Sequence, residues 1–184
     1  GKYTIAEMGC YAAHDNPKIY DAPWKFYPTL PINQDEANFY NSDPKNQFGE
    51  WRFDDICLDF RPDVVIDIRD WWMLEFQQRS AYRDFYQWAI MPTVDSAPQQ
   101  PQYLNTYMSA DAVFTYSEYG KEVLENETNN NIKVLSIPSP GADFDKLKPS
   151  TDKQSHRESF GFVNDVNIVG TIMRNQRRKL YPNL

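Results

Sequence analysis

Asp63-Val64-Val65-Ile66-Asp67-Ile68 sets four β-branched apolar residues among carboxylates and reads as a strand. On its amino side Phe53, Ile56, Cys57 and Phe60 recur at i, i+3, i+4 and i+7, one face of an amphipathic helix. Arg61-Pro62 ends that helix, because a residue before proline is driven out of the helical region. On its carboxyl side come a loop at Arg69-Asp70-Trp71-Trp72, a helical stretch over 73–83 and a second strand over 85–91. The alternation then continues. Tyr103, Leu104, Tyr107 and Met108 form the next helical stripe, with Pro101 tolerated in its first turn. Residues 111–116 read as a strand, Ser117 as the N-cap of a helix reaching Asn126, and 132–137 as a further strand. Strands and helices alternating at this spacing specify βαβ units, hence an α/β fold: a Rossmann-like parallel sheet with helices on both faces.

The pattern is weaker at both ends. Residues 3–13 lean toward strand, and Pro17, Pro23, Pro28 and Pro31 punctuate a loop-rich region with a short strand over 24–27. Residues 32–47 are polar and show no period. Beyond the last strand, Lys148-Pro149-Ser150-Thr151-Asp152-Lys153 is a polar break that places a domain boundary between 1–148 and 149–184. A short helix runs from there to Phe160, with Gly161 as its C-terminal cap.

Hydrophobic content of 41% and aromatic content of 15% are ample for a core and exclude wholesale disorder. A net charge of -7 argues against nucleic acid or an anionic membrane surface as partner. No apolar run approaches the roughly 20 residues that a membrane-spanning helix needs. With no signal-peptide pattern after Lys2, the expected location is cytoplasmic, where Cys10 and Cys57 are free thiols rather than a disulfide. Two histidines, His14 and His156, cannot build a His-rich metal site, so no metal is expected.

In open parallel sheets ligands bind beyond the carboxyl ends of the strands. Those ends carry Asp70, Asp95, Ser117 with Glu118, and Gly141 with Asp143, a rim suited to a ligand with many hydroxyl groups; the same residues are also ordinary turn and cap formers. Trp71-Trp72 could stack on a sugar or pack in the core. Against the acidic background one basic cluster stands out, in Asn167-Ile168-Val169-Gly170-Thr171-Ile172-Met173-Arg174-Asn175-Gln176-Arg177-Arg178-Lys179. Its apolar half, 168–173, reads as a buried strand. Arg174 and Lys179, five residues apart, can hold a diphosphate; a solvated basic loop ahead of a helix is the other reading. A Gly-rich dinucleotide or P-loop fingerprint is absent, and Ser117 lies outside any G-x-S-x-G elbow.

Three segments resemble a known family. Asp111-Ala112-Val113-Phe114-Thr115-Tyr116-Ser117-Glu118-Tyr119-Gly120 is similar to the aD-x-v-x-x-x-S-x-x-g strand and helix start of retaining glycosyltransferases of the glycogen synthase-like, group 1 family. Pro140-Gly141-Ala142-Asp143 with Leu147-Lys148-Pro149 resembles that family's linker entry. Val169-Gly170 followed by Arg174-Asn175-Gln176-Arg177-Arg178-Lys179 resembles its v-G-x-x-x-R-N-Q-x-R-K segment, which opens the second domain. Order and spacing agree over residues 48–184.

The resemblance implies a GT-B architecture, with this chain holding the acceptor-side Rossmann-like domain and the start of a donor-binding one. It implies transfer of a sugar from a nucleotide-diphosphate donor to a saccharide or other acceptor, with no metal and no further cofactor, and with Arg174 and Lys179 on the donor diphosphate. It leaves Asp70, Asp95, Ser117 and Glu118 as acceptor-side candidates and assigns no catalytic residue, because the family's usual histidine is missing near Arg69 and Asp70. The glycine-rich loop after the family's first strand and the carboxylate pair of its donor domain are also absent, so the chain reads as truncated at both ends and inactive alone. The alternatives are a non-enzymatic carbohydrate or nucleotide-binding module, and another GT-B enzyme such as a nucleotide-sugar epimerase.

Overall fold

The computed structural model describes residues 2–138, 140–162, 166–170 and 172. The chain divides into two units, Gly1–Pro140 and Gly141–Leu184.

The first unit opens with a small parallel pair, β1 (Ala6–Gly9) and β2 (Lys25–Pro28), joined through the single turn α1 (Lys18–Asp21). Gly9 lies so close to Phe26 that a Cβ there would sit 2.3 Å from the ring, so only glycine fits. Ala12 O accepts from both Thr29 N (3.2 Å) and Leu30 N (3.0 Å), and Thr29 Oγ1 donates to Gly9 O at 2.8 Å. These bonds hold the two strand ends together.

The polar stretch without a readable period folds by capping. Asn33 accepts from Glu36 N (2.9 Å) at the start of α2 (Gln34–Tyr40), and Glu36 reaches back to Ile32 N (3.0 Å). Asp43 caps a 3-10 turn over Pro44–Phe48, and Asn46 Nδ2 donates to Phe39 O (3.0 Å). Gly49, at φ 101°, turns the chain into α3 (Glu50–Phe60). That helix runs where the apolar spacing predicts, and it ends at Arg61 in the left-handed region.

The main sheet follows: β3 (Val64–Asp67), β4 (Gln87–Ile90), β5 (Ala112–Phe114) and β6 (Val134–Ser136), all parallel and in that order. Between the strands run α4 (Trp71–Leu74), α5 (Pro101–Met108) and α6 (Glu118–Glu127). The α/β class and the parallel sheet agree with the sequence reading.

One connection differs from it. Of the expected helix over 73–83 only Met73 and Leu74 are α-helical, as the end of α4, which starts at Trp71 in the expected loop; Glu75–Arg79 and Arg83–Phe85 are 3-10 turns. Tertiary bonds interrupt the helix, because the Asp54 carboxylate takes Ser80 Oγ and Ala81 N (3.3 Å) while Tyr86 Oη donates to Gln77 O at 3.2 Å.

The core gathers Phe53 and Cys57 of α3, Leu74, Phe76, Tyr86, Trp88, Ile90, Tyr107, Val113, Leu124 and Ile132. Trp88 is fully buried. Its backbone N donates to Asp111 Oδ2 (2.7 Å) and its indole N–H to Asp67 Oδ2 (3.2 Å). Both cysteines are free thiols, as expected.

In the second unit, α7 (Lys153–Ser159) is capped by Asp152, which accepts from Ser155 N at 2.9 Å. It closes with Gly161 at φ 75° and the bonds Gly161 N to Glu158 O and Phe162 N to Arg157 O. The buried strand expected over 168–173 is corrected among its described residues. Residues 166–170 and 172 form no strand, and Val169 and Ile172 are fully exposed. An apolar run becomes a buried strand only when a neighbour takes its backbone groups, and no described residue pairs with it. Arg174, Arg177, Arg178 and Lys179 lie outside the described residues.

Candidate functional site

Because β3 to β6 are parallel, their carboxyl ends share one edge of the sheet. Asp70 follows β3 and is half-buried at the start of α4, where its side chain makes no capping bond. Asp95 follows β4 on an exposed loop. That loop is tied down where Gln99 N donates to Glu127 Oε2 (2.8 Å) of α6.

Tyr107 of α5 is a fully buried phenol of the core. Burial pushes its ionisation well above the ordinary tyrosine range, and the charges of Tyr103, Asp70 and Asp95 push it the same way. Asp70 and Asp95 stand at the ends of neighbouring strands on the same edge of the sheet.

Ser117 and Glu118 form a second pair at the end of β5. Ser117 Oγ accepts from Gly120 N at 3.2 Å, and its carbonyl accepts from the buried Thr115 hydroxyl at 3.1 Å. A Cβ on Gly120 would lie 3.3 Å from Thr115 Cβ and 3.5 Å from Val94 Cβ, so glycine lets α6 start close against the strand end and the β4 loop. Ser117 thus serves as the cap of α6. Glu118 is exposed in the first turn, where a carboxylate complements the helix N-terminus.

Trp71 packs inward: it stacks on Tyr103 at 4.6 Å, and its indole N–H donates to Thr106 Oγ1 at 3.0 Å. Of the tryptophan pair, only Trp72 is open to a ligand.

A different group escaped the sequence reading. Asp67, buried at the end of β3, forms an ion pair with Arg69. Arg69 also donates to Phe48 O at 2.9 Å and approaches Cys10 Sγ at 3.5 Å. Asp67, Arg69, Cys10 and Gln77 line a cavity of about 730 Å³ together with the apolar Met8, Phe53, Ile56, Val64 and Ile66. The sequence offered only a weak signal, because Arg69 lies past the end of β3 and its pairing with Asp67 is set by the loop. Burial pushes the Cys57 thiol up to about 12, and burial raises that of Cys10 against the opposing pull of Arg69.

Among the described residues no group of three or more His, Cys, Asp or Glu could hold a metal ion, and no helix is long and apolar enough to cross a membrane. No family model, no curated protein and no solved structure matches the chain.

Proposed function

We propose that this chain is the acceptor-side domain, with the opening of the donor-binding domain, of a GT-B glycosyltransferase that moves a sugar from a nucleotide-diphosphate donor to a hydroxyl-bearing acceptor. The observation that carries this reading is the β5–α6 unit. Residues 111–120, which resemble the family's strand and helix start, form a strand, a Ser117 cap and a glycine-tight helix entry at the carboxyl edge of a parallel sheet. In this reading Asp70 and Asp95 accept hydrogen bonds from acceptor hydroxyls, while Ser117 and Glu118 shape the rim beside them.

Arg174 and Lys179 bind the donor diphosphate. Charge grows on the leaving phosphate as the glycosidic bond breaks, so fixed cations there stabilise the transition state more than the ground state. No described residue is assigned as a base, and this reading calls for no resident metal.

The reading is tested on the polypeptide carrying both domains, by calorimetric titration with ADP, GDP and UDP. One of the three is expected to bind, and Arg174→Ala or Lys179→Ala should weaken it about tenfold or more, the loss of one charge-assisted contact. Unchanged affinity in both variants removes the diphosphate assignment. Binding without sugar transfer to any acceptor would leave a nucleotide-binding module instead.

A further inference from the structure

Another cavity of the first unit opens at the amino edge of the main sheet, away from the acidic rim. It lies between the end of α3 and the 3-10 turn before β4. Its volume of about 350 Å³ falls in the range of small-molecule sites. Leu58, Tyr82, Phe85 and Tyr86 line it together with Cys57 and Pro62. Tyr86 is buried, and its hydroxyl already donates to Gln77 O at 3.2 Å. Leu58 and Phe85 stay 57% and 77% exposed. Exposed apolar side chains gathered on one concavity mark a ligand groove.

Two residues of opposite charge complete the lining, Arg61 and Asp63. Both are exposed, and neither side chain has a hydrogen-bond or ion-pair partner among the described residues, each other included. The other arginines of the first unit, Arg52, Arg69, Arg79 and Arg83, each hold a carboxylate. Arg61 is the exception. It also sits in the left-handed region at φ 54°, where a glycine would be unstrained. What the arginine adds there is a side chain, and no described residue uses it. The backbone beneath the two charges is fixed: Arg61 N donates to Cys57 O (2.9 Å), Asp63 O accepts from Gln87 N (2.9 Å), and Pro62 locks the residue between them.

We propose that this cavity binds a free α-amino acid with a large apolar side chain. The side chain enters among Leu58, Tyr82 and Phe85, the carboxylate meets Arg61 and the ammonium meets Asp63. Opposite charges at one cavity match the two charged groups of a single Cα. A ligand with one charge leaves the other rim residue unmatched, and a zwitterion without an apolar body leaves the cavity unfilled. Both charges are open to water, so binding is modest, with Kd on the order of 1 mM. The site lies before β3 and β4, at the opposite edge from Asp70 and Asp95, and it stands or falls independently of sugar transfer.

Isotope-labelled residues 1–184 are to be titrated with L-phenylalanine and L-leucine while amide shifts are followed. Saturable shifts are expected at residues 57–63 and 82–86. Phenethylamine, which lacks the carboxylate, and hydrocinnamate, which lacks the ammonium, should each bind about fivefold or more weakly than phenylalanine. Arg61→Gly suits the left-handed backbone and so keeps the fold. It should reduce phenylalanine to the level of phenethylamine and leave phenethylamine unchanged. Asp63→Asn should likewise equalise phenylalanine and hydrocinnamate. No saturable shift at these residues overturns the proposal. So do equal affinities for the three aromatic ligands, or an Arg61→Gly variant that binds phenylalanine as before.

Discussion

β4 and β3 are neighbouring strands of four residues each, yet they live in different environments. β4 has a partner on either side, and its Trp88 and Ile90 are fully buried. Among the described residues β3 has a partner on one side only; it is the more uniformly β-branched of the two, and its Val64 and Ile66 remain more than half exposed. Apolar composition measures how much burial a strand can use, while neighbours decide how much it receives. The contrast places the strength of the first unit at β4, α3 and α5, and its unfinished side at β3 and β1.

Substitutions should reproduce that gradient. Trp88→Ala should cost about 3–5 kcal/mol in urea unfolding, because it empties a core site and strips Asp67 of its indole donor. Ile66→Ala should change stability by less than about 0.5 kcal/mol in residues 1–184. A loss of about 2 kcal/mol or more for Ile66→Ala would break the contrast.

The Asp67–Arg69 pair lies on the boundary between the two environments. Arg69→Met should destabilise by about 3 kcal/mol, since it leaves a buried carboxylate uncompensated, and adding Asp67→Asn should restore much of the loss. A double variant as weak as the single one would mean that Arg69 acts through Phe48 and Cys10 instead. Gly9→Ala at the β1 side should cost about 1–3 kcal/mol by driving a methyl into Phe26. Ser117→Ala should cost about 1 kcal/mol through loss of the α6 cap.

The smallest effect is one of pH. The Glu7 carboxyl is held below the ordinary carboxylate range, first by the hydrogen bond from Lys18 and further by that from Trp24. A depressed folded-state value means that its contribution is present above the unfolded value, near 4.5, and fades as pH falls through the folded one. Glu7→Gln should therefore remove a shallow acid-side loss of stability, under about 1 kcal/mol for so open a pair. Unfolding midpoints compared at pH 3 to 6 would show it.

Much of this architecture was legible in the residues. The spacing of Phe53, Ile56, Cys57 and Phe60 predicts α3, Ser117 predicts the start of α6, and Gly161 marks the close of α7. Residues 32–47 were opaque because Asn33, Asp43 and Asn46 act there as caps, which is a matter of particular bonds rather than of periodicity. The helix expected over 73–83 failed for a related reason: Asp54, distant in sequence, competes for Ser80 and Ala81. At the candidate site, the strand-end rule located Asp70, Asp95, Ser117 and Glu118. It could not foresee that Asp70 is half-buried without a capping bond while Ser117 caps α6.

The sequence by itself determined the alternation of strands and helices, the parallel sheet and the acidic rim, because these follow from local period, cap chemistry and chain direction. Tertiary structure alone decided which apolar strand is finished and which is not. Val64, Val65 and Ile66 look alike as residues, but burial belongs to a strand's neighbours, and at β3 one neighbour is present and the other place is open.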